Sequence, residues 1–362
     1  MRIAIDAREL HGRPTGVGRY LAGLLAAWEL LPAAATHEFV LIAPAGSGLP
    51  PPGRRVTARL GGSGGSGTLW EQISLPRLIR AAQADVFFAP GYTGPLFCPV
   101  PMVVAIHDVS FAAHPEWFGR REGLRRRALA RLAARRAARV VTISDFSRRE
   151  IVRHLGVPAS KIDVIYPAAG TPAARVPSPD APHRVLFVGS LFNRRHIPEL
   201  IAGFARLART GADVHLDIVG DNRTTPRIDF EALASASGAA SRIALRAYVP
   251  DDALAGVYAG ARAFAFLSDY EGFGLTPLEA LAAGVPIVVL DTPVAREVYG
   301  EAAIYVAGPD PALIAGAIER VLFDEAERSR ILAAAPGTLA RYSWQACAAG
   351  VLRVLTACAR VP

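Results

Sequence analysis

Short apolar runs alternate with longer helical stretches along the whole chain. In the first half the runs are Arg2–Asp6, Phe39–Ile42, Val86–Ala89, Val103–His107, Arg139–Ile143 and Ile162–Ile165. In the second half they are Arg184–Val188, Val214–Val219, Ala263–Leu267, Ile287–Leu290 and Ile304–Val306. They are continuous and β-branched rather than alternating, the pattern of parallel strands buried on both faces. Strand and helix in strict alternation predict an α/β chain with a doubly wound parallel sheet, and the rhythm occurs twice. Residues 169–183 carry Pro172, Pro177, Pro179 and Pro182 without periodicity, so they predict a linker between a domain at 1–168 and another at 184–342. In the remaining 343–362, Cys347, Val351, Val354 and Cys358 share one helical face. A helix after a finished second domain needs a surface, and the first domain is the expected one.

Composition narrows the chemistry. Hydrophobic residues make up 51% of 362, enough for two packed cores and too many for a disordered chain. The formal charge is +8, and Lys161 is the only lysine among 40 cationic residues. A phosphate loop of the G-x-x-x-x-G-K-[ST] type is therefore absent. A Schiff-base enzyme would have to use Lys161, which stands just before a strand. Cys98, Cys347 and Cys358 are too few and too scattered for a disulfide framework or a zinc cluster. No D-x-D, no H-E-x-x-H and no His/Cys cluster appears, so no metal or other cofactor is expected. The first residues, MRIAIDAREL, lack a basic stretch followed by an apolar one, and no apolar run reaches the roughly 18 residues of a membrane span. A cytoplasmic protein is the expectation.

Five stretches could carry chemistry. Thr15-Gly16-Val17-Gly18-Arg19-Tyr20 opens a helix, where backbone amides can approach a ligand; a tight turn explains it equally well. His107 and Asp108 follow a strand on its carboxyl side, where ligands of open α/β sheets bind; the plain alternative is an edge His beside a capping Asp. After the strand ending at Val188 come Gly189, Ser190 and the pair Arg194-Arg195, then His196; guanidinium forks suit a diphosphate, although basic loops are common. The most specific stretch is Glu271-Gly272-Phe273-Gly274-Leu275-Thr276-Pro277-Leu278-Glu279. Its amides at Gly274, Leu275 and Thr276 can cradle a phosphate while Glu279 takes ribose hydroxyls. The competing expectation makes Thr276 the N-cap, Pro277 the first helical residue and Glu279 the partner in a capping box. Capping explains neither Glu271 nor the two glycines. Last, nine of the twenty residues Arg120–Arg139 are Arg, interleaved with Leu124, Leu129 and Leu132: a solvated surface helix or one that lies on anionic lipid. The stretch Gly61–Gly67 (GGSGGSG) predicts a flexible surface loop and has the composition of a cloning linker.

Together these motifs resemble the retaining, nucleotide-sugar-dependent glycosyltransferases of family 4 with the GT-B fold. Nearly the whole chain takes part: Gly16–Tyr20, Leu69-Trp-Glu-Gln72, Asp85–Phe88, His107–Phe111, Thr142–Ser147, Phe187–Gly189, Glu271-x₇-Glu279, Arg296–Val298, Gly300–Ala303 and Tyr342–Trp344. The resemblance implies two Rossmann-like doubly wound parallel-sheet domains facing a cleft, the first receiving the acceptor and the second holding the nucleotide diphosphate. It implies that Glu279 takes the ribose and that Glu271 lies near the transferred sugar. Gly274, Leu275 and Thr276 would offer amides, Arg194 and Arg195 would face the diphosphate, and His107 would stand near the sugar. Ser190 stands where many members carry Arg, Arg195 where they carry Lys, and His196 replaces the usual Asn or Gly. The implied reaction is metal-independent hexosyl transfer, from GDP-mannose or a similar donor to a saccharide or lipid-linked acceptor, in surface polysaccharide or glycolipid synthesis. A place at the inner face of the membrane would follow from the Arg120–Arg139 stretch. Two alternatives stay open: a nucleotide-sugar epimerase of the same fold, and a non-catalytic protein using the basic helix on lipid or nucleic acid.

Overall fold

The structure, a computed structural model, describes residues 1–12, 16–49, 53–62, 65, 67–170 and 183–359. Thr15, Ser63, Gly64 and Ser66, most of the expected linker and the last three residues lie outside that set. The chain divides into two compact units, one of residues 1–167 with 342–362, the other of residues 168–341.

Unit 1 holds β1 (Arg2–Asp6), β2 (Glu38–Ala43), β3 (Val56–Leu60), β4 (Val86–Ala89), β5 (Met102–Ala105), β6 (Arg139–Thr142) and β7 (Ile162–Val164). Among the described residues they form one sheet in the order β3-β2-β1-β4-β5-β6-β7, every pair parallel. The order reverses between β1 and β4, where Ile5 pairs with Phe88. β1, β4 and β5 are almost wholly buried, as a parallel sheet covered on both faces requires. Helix Gly16–Leu30 covers one face, and Trp28 stacks on Phe39 at 4.8 Å. The indole of Trp28 also donates to the carbonyl of Ala348 at 2.9 Å, and a Cβ on Gly23 would fall 2.5 Å from the ring of Trp344. These contacts seat the helix Trp344–Cys358 on unit 1.

Unit 2 repeats the plan with β8 (His183–Val188), β9 (Val214–Val219), β10 (Ile243–Arg246), β11 (Ala263–Phe266), β12 (Ile287–Leu290) and β13 (Ala303–Val306). Their order is β10-β9-β8-β11-β12-β13, again all parallel. The reversal falls between β8 and β11. Helix Ile197–Ala208 follows β8 and buries Ile197, Leu200, Ile201 and Phe204.

The expectation of a loose loop over Gly61–Gly67 fails at its start. Gly61 donates to Ala43 at 3.1 Å and accepts from the Trp70 indole at 2.8 Å. A Cβ on Gly62 would meet Ser74 and Trp70 within 2.7 Å. Close packing under Trp70 asks for glycine here. The basic helix also ends earlier than its charge run, at Arg136. Arg139 belongs to β6 and pairs with Asp163 at 2.7 Å.

Candidate functional site

In unit 2 the two strands at the reversal deliver the candidate residues. β8 runs into Gly189 at φ 144°, where a Cβ would lie 2.6 Å from Nη1 of Arg195. A 3-10 turn, Asn193–Arg195, follows, and His196 takes a left-handed conformation (φ 47°) before helix Ile197–Ala208 begins. β11 leads into Ser268, Asp269 and Glu271, and then to the helix Leu275–Ala282. The backbone of Asp269 donates to the carbonyl of Arg194 at 3.0 Å, so the two loops are tied together.

Glu271 sits at the centre. Its Oε1 accepts from Nε of Arg195 at 3.0 Å and from the Ser268 hydroxyl at 2.9 Å. Nη1 of Arg195 donates to the carbonyl of Ser190 at 2.8 Å, and the guanidinium lies over the Phe266 ring, 4.8 Å from its centroid. Burial pulls the pKa of Arg195 below its ordinary value against the attraction of Glu271. An arginine so placed still carries its charge. Arg194 stacks on Phe192 at 4.5 Å and comes within 3.9 Å of Glu271.

The capping-box expectation is corrected here. The N-cap is Gly274, not Thr276; Thr276 is the second helical residue and Glu279 the fifth, and no side chain caps the helix. The cause lies outside the local sequence. Gly274 adopts φ 91°, and a Cβ there would stand 2.0 Å from the Tyr299 hydroxyl, which donates to the Gly274 carbonyl at 2.9 Å. Only glycine fits at the N-cap, so the helix begins at Leu275, two residues ahead of the expected Pro277. Amides at a helix N-terminus have no intrahelical acceptor and point at an anion, with the helix dipole behind them. Gly272 and Phe273 are buried beneath this turn. Glu279 is 3% exposed and accepts from the Tyr258 hydroxyl at 2.9 Å.

Gly16, Val17, Gly18 and His107 lie in unit 1. Gly16 opens the helix Gly16–Leu30, and Tyr20 from its next turn packs edge-on against His107 at 4.6 Å. His107 lies two residues past the end of β5, and its Nε2 is 2.8 Å from the carbonyl of Pro90. A carbonyl only accepts, so Nε2 carries the proton and the neutral ring keeps its lone pair on Nδ1. Burial lowers the pKa of His107 and favours that neutral form. The ring's N–H is thus engaged by Pro90. Asp108 accepts from the amide of Ser110 at 2.9 Å.

One feature of unit 1 escaped the sequence reading. Beyond the carboxyl ends of β1 and β4 opens a cavity of about 440 Å³, lined among others by Asp6, Arg8, Glu71, Tyr92 and Thr93. Arg8 bridges two buried carboxylates, Asp6 at 2.6 Å and Glu71 at 2.5 Å, and the Thr93 hydroxyl donates to Glu71 at 2.7 Å. Burial opposes the charge on Arg8, yet Asp6 and Glu71 more than offset it and raise its pKa. Glu9 on the rim has its pKa raised by burial and by Asp6. The position of Asp6 at the end of β1 was the only available signal. Among the described residues, no group of three or more His, Cys, Asp or Glu side chains could hold a metal ion. No helix among them is long and apolar enough to cross a membrane.

Two family sequence models match the chain. One, described as Glycosyltransferase Family 4, matches residues 14–171; the other, Glycosyl transferases group 1, matches residues 173–337. O-antigen chain mannosyltransferase B of Escherichia coli is 28% identical over 256 residues, 68% of this chain and 67% of the relative. Sucrose-phosphate synthase from Thermosynechococcus elongatus superposes with a TM-score of 0.77 at 18% identity, over 98% of both chains. Anabaena HepE, solved in complex with UDP-glucose, superposes at 0.75 and 18% identity, over 99% of this chain and 100% of its own. At such identities the solved structures speak for the fold.

Proposed function

Because the chain is a family 4-like glycosyltransferase, matched in its first half by the Glycosyltransferase Family 4 model and in its second by the Glycosyl transferases group 1 model, and carries two parallel-sheet units of the GT-B type, we propose that it moves a hexose from a nucleoside-diphosphate sugar to a saccharide or lipid-linked acceptor. The transfer is metal-independent and retains the anomeric configuration, and it serves the synthesis of a bacterial surface polysaccharide or glycolipid. Likeness to an O-antigen mannosyltransferase supports GDP-mannose, or a donor close to it, as the hexose source.

The observation that carries this proposal is the helix Leu275–Ala282, which no side chain caps, in the same unit as the Arg194-Arg195 pair. As the bond from the sugar to the diphosphate breaks, negative charge grows on the phosphate oxygens. Amides at Gly274, Leu275 and Thr276 and the two guanidiniums stabilise that charge without reorganising, and they supply what a cation would otherwise supply. Buried Glu279, on the same helix, takes the ribose hydroxyls. Glu271 orients Arg195 through its ion pair. The unit-1 cavity, with its carboxylates and hydroxyls, suits the hydroxyl-rich acceptor.

Titration of the parent with GDP, UDP and ADP, read as a rise in Tm, identifies the nucleotide by mass action. Glu279→Ala should then weaken its binding roughly 10–100-fold, the range for hydrogen bonds to a charged group. Arg195→Ala should lower turnover more than it lowers stability. Unchanged nucleotide affinity and turnover in both variants refute the assignment. A product sugar with the donor's anomeric configuration, and a rate indifferent to a chelator, test retention and metal independence. A same-fold epimerase would release an epimerised sugar without an acceptor.

A further inference from the structure

The helix Arg120–Arg136 has two faces of different chemistry. Arg125, Arg126 and Leu129 line the unit-1 cavity, and Glu122 holds Arg125 at 2.8 Å and Arg126 at 2.6 Å. Away from the buried Gly123, Ala130, Ala133 and Ala134, the side chains of Arg120, Arg121, Arg127, Arg131, Arg135 and Arg136 are all exposed. At 100° per residue these six fall in a sector about 180° wide; Arg125, held by Glu122, lies near its edge, and Glu122 itself lies outside it. Among the described residues, none of the six enters an ion pair. Two leucines project from the same sector, Leu124 at 69% exposure and Leu132 at 43%. Phe97 beside it is 79% exposed, and the Arg136 guanidinium lies 5.8 Å from its ring centroid.

We propose that this face docks unit 1 on an anionic lipid bilayer, with the six guanidiniums at the headgroup phosphates and Leu124, Leu132 and Phe97 inserted at the acyl boundary. Charge complementarity selects the partner. Unneutralised arginines on one face attract a negative surface, and each adds roughly fivefold to binding near it. The apolar side chains decide between a bilayer and a nucleic acid. Bare aliphatic side chains gain nothing against a phosphate backbone, but they gain burial at a lipid interface. The cavity borders the same helix at the edge of this face, so a docked unit would hold it close to the membrane surface, where a lipid-linked acceptor resides. That last link rests on the proposed transferase function; the docking does not.

The test uses the full chain and vesicles of phosphatidylcholine alone or mixed equally with phosphatidylglycerol. Co-sedimentation should occur with the mixed vesicles, weaken steeply with salt and be absent with the neutral ones. Replacing Arg127, Arg131 and Arg135 together with Gln should reduce binding on the order of a hundredfold, with Tm unchanged because all three are exposed. Leu124→Gln combined with Phe97→Ser should remove the part of binding that survives high salt. Equal binding to neutral vesicles, or Gln variants that bind like the parent, overturn the proposal. So does a face that binds duplex DNA more tightly than vesicles and is indifferent to the Leu124 and Phe97 changes. None of these readouts depends on turnover, so failure here leaves the transferase reading standing.

Discussion

His196 offers a test of how the Arg194-Arg195 turn is held. Its Nε2 lies 2.7 Å from Asp269 and its Nδ1 3.6 Å from Glu199. Burial would lower its pKa, but the hydrogen bonds and charges of Asp269 and Glu199 outweigh that and raise it to about 9. Against the ordinary histidine value of 6.5, a rise of that size corresponds to about 3 kcal/mol at face value. Asp269 is 45% exposed and Glu199 36%, so solvent screening reduces the figure to about 1 kcal/mol. The folded state binds the proton more tightly than the unfolded chain. This contribution is therefore complete below pH 6.5 and disappears as pH rises through about 9. His196→Asn removes the charge and keeps a residue that tolerates φ 47°. At pH 6 the variant should melt about 2–4 °C below the parent, the shift expected for ~1 kcal/mol in a unit of this size. At pH 10 the two should melt together, because all other titrations are common to both. A gap that stays the same at both pH values would refute the argument, since no charge on His196 would then be contributing.

Two further substitutions probe each unit. Gly274→Ala places a Cβ 2.0 Å from the Tyr299 hydroxyl at a backbone φ of 91°, so unfolding free energy should fall by about 2–3 kcal/mol, and Tyr299→Phe in the same chain should restore part of it. Glu71→Gln leaves the buried Arg8 with Asp6 as its remaining partner; it should cost about 2–4 kcal/mol in unfolding experiments and leave nucleotide affinity in unit 2 unchanged.

Strands buried on both faces declared themselves as continuous apolar runs, while two edge strands did not. β3, Val56–Leu60, is exposed after its first residue, and none of β10, Ile243–Arg246, is fully buried. Each stands at a sheet edge with a backbone partner on one side only and, unlike the buried edge strand β13, has no layer over both faces, so its sequence carries no burial signal. Local spacing failed for the same kind of reason at Thr276. A capping box can be written from four residues, but Tyr299, 25 positions beyond Gly274, decides where the helix begins. The ion pair of Arg195 with Glu271 spans 76 positions, and that of Arg8 with Glu71 spans 63. Residue types at strand ends announced that chemistry could reside there. Their partners belong to the tertiary fold and have no periodicity to read.

Arg195 shows what those distant partners accomplish. A lysine there could offer the same charge as a mobile point on a flexible stem. The guanidinium instead gives Nε and Nη2 to Glu271 and Nη1 to Ser190, and it rests on Phe266. Its side chain is 12% exposed, so most of its desolvation has been met by folding, with Glu271 compensating the buried charge. In the proposed transfer a leaving diphosphate would meet a cation that is already oriented and already stripped of most of its water. Stabilisation then needs no solvent or side-chain rearrangement while the bond breaks, which is the condition under which electrostatic catalysis is strongest. On this reasoning Arg195→Lys is not a conservative change: it keeps the charge but loses the fork that Glu271 and Ser190 hold in place.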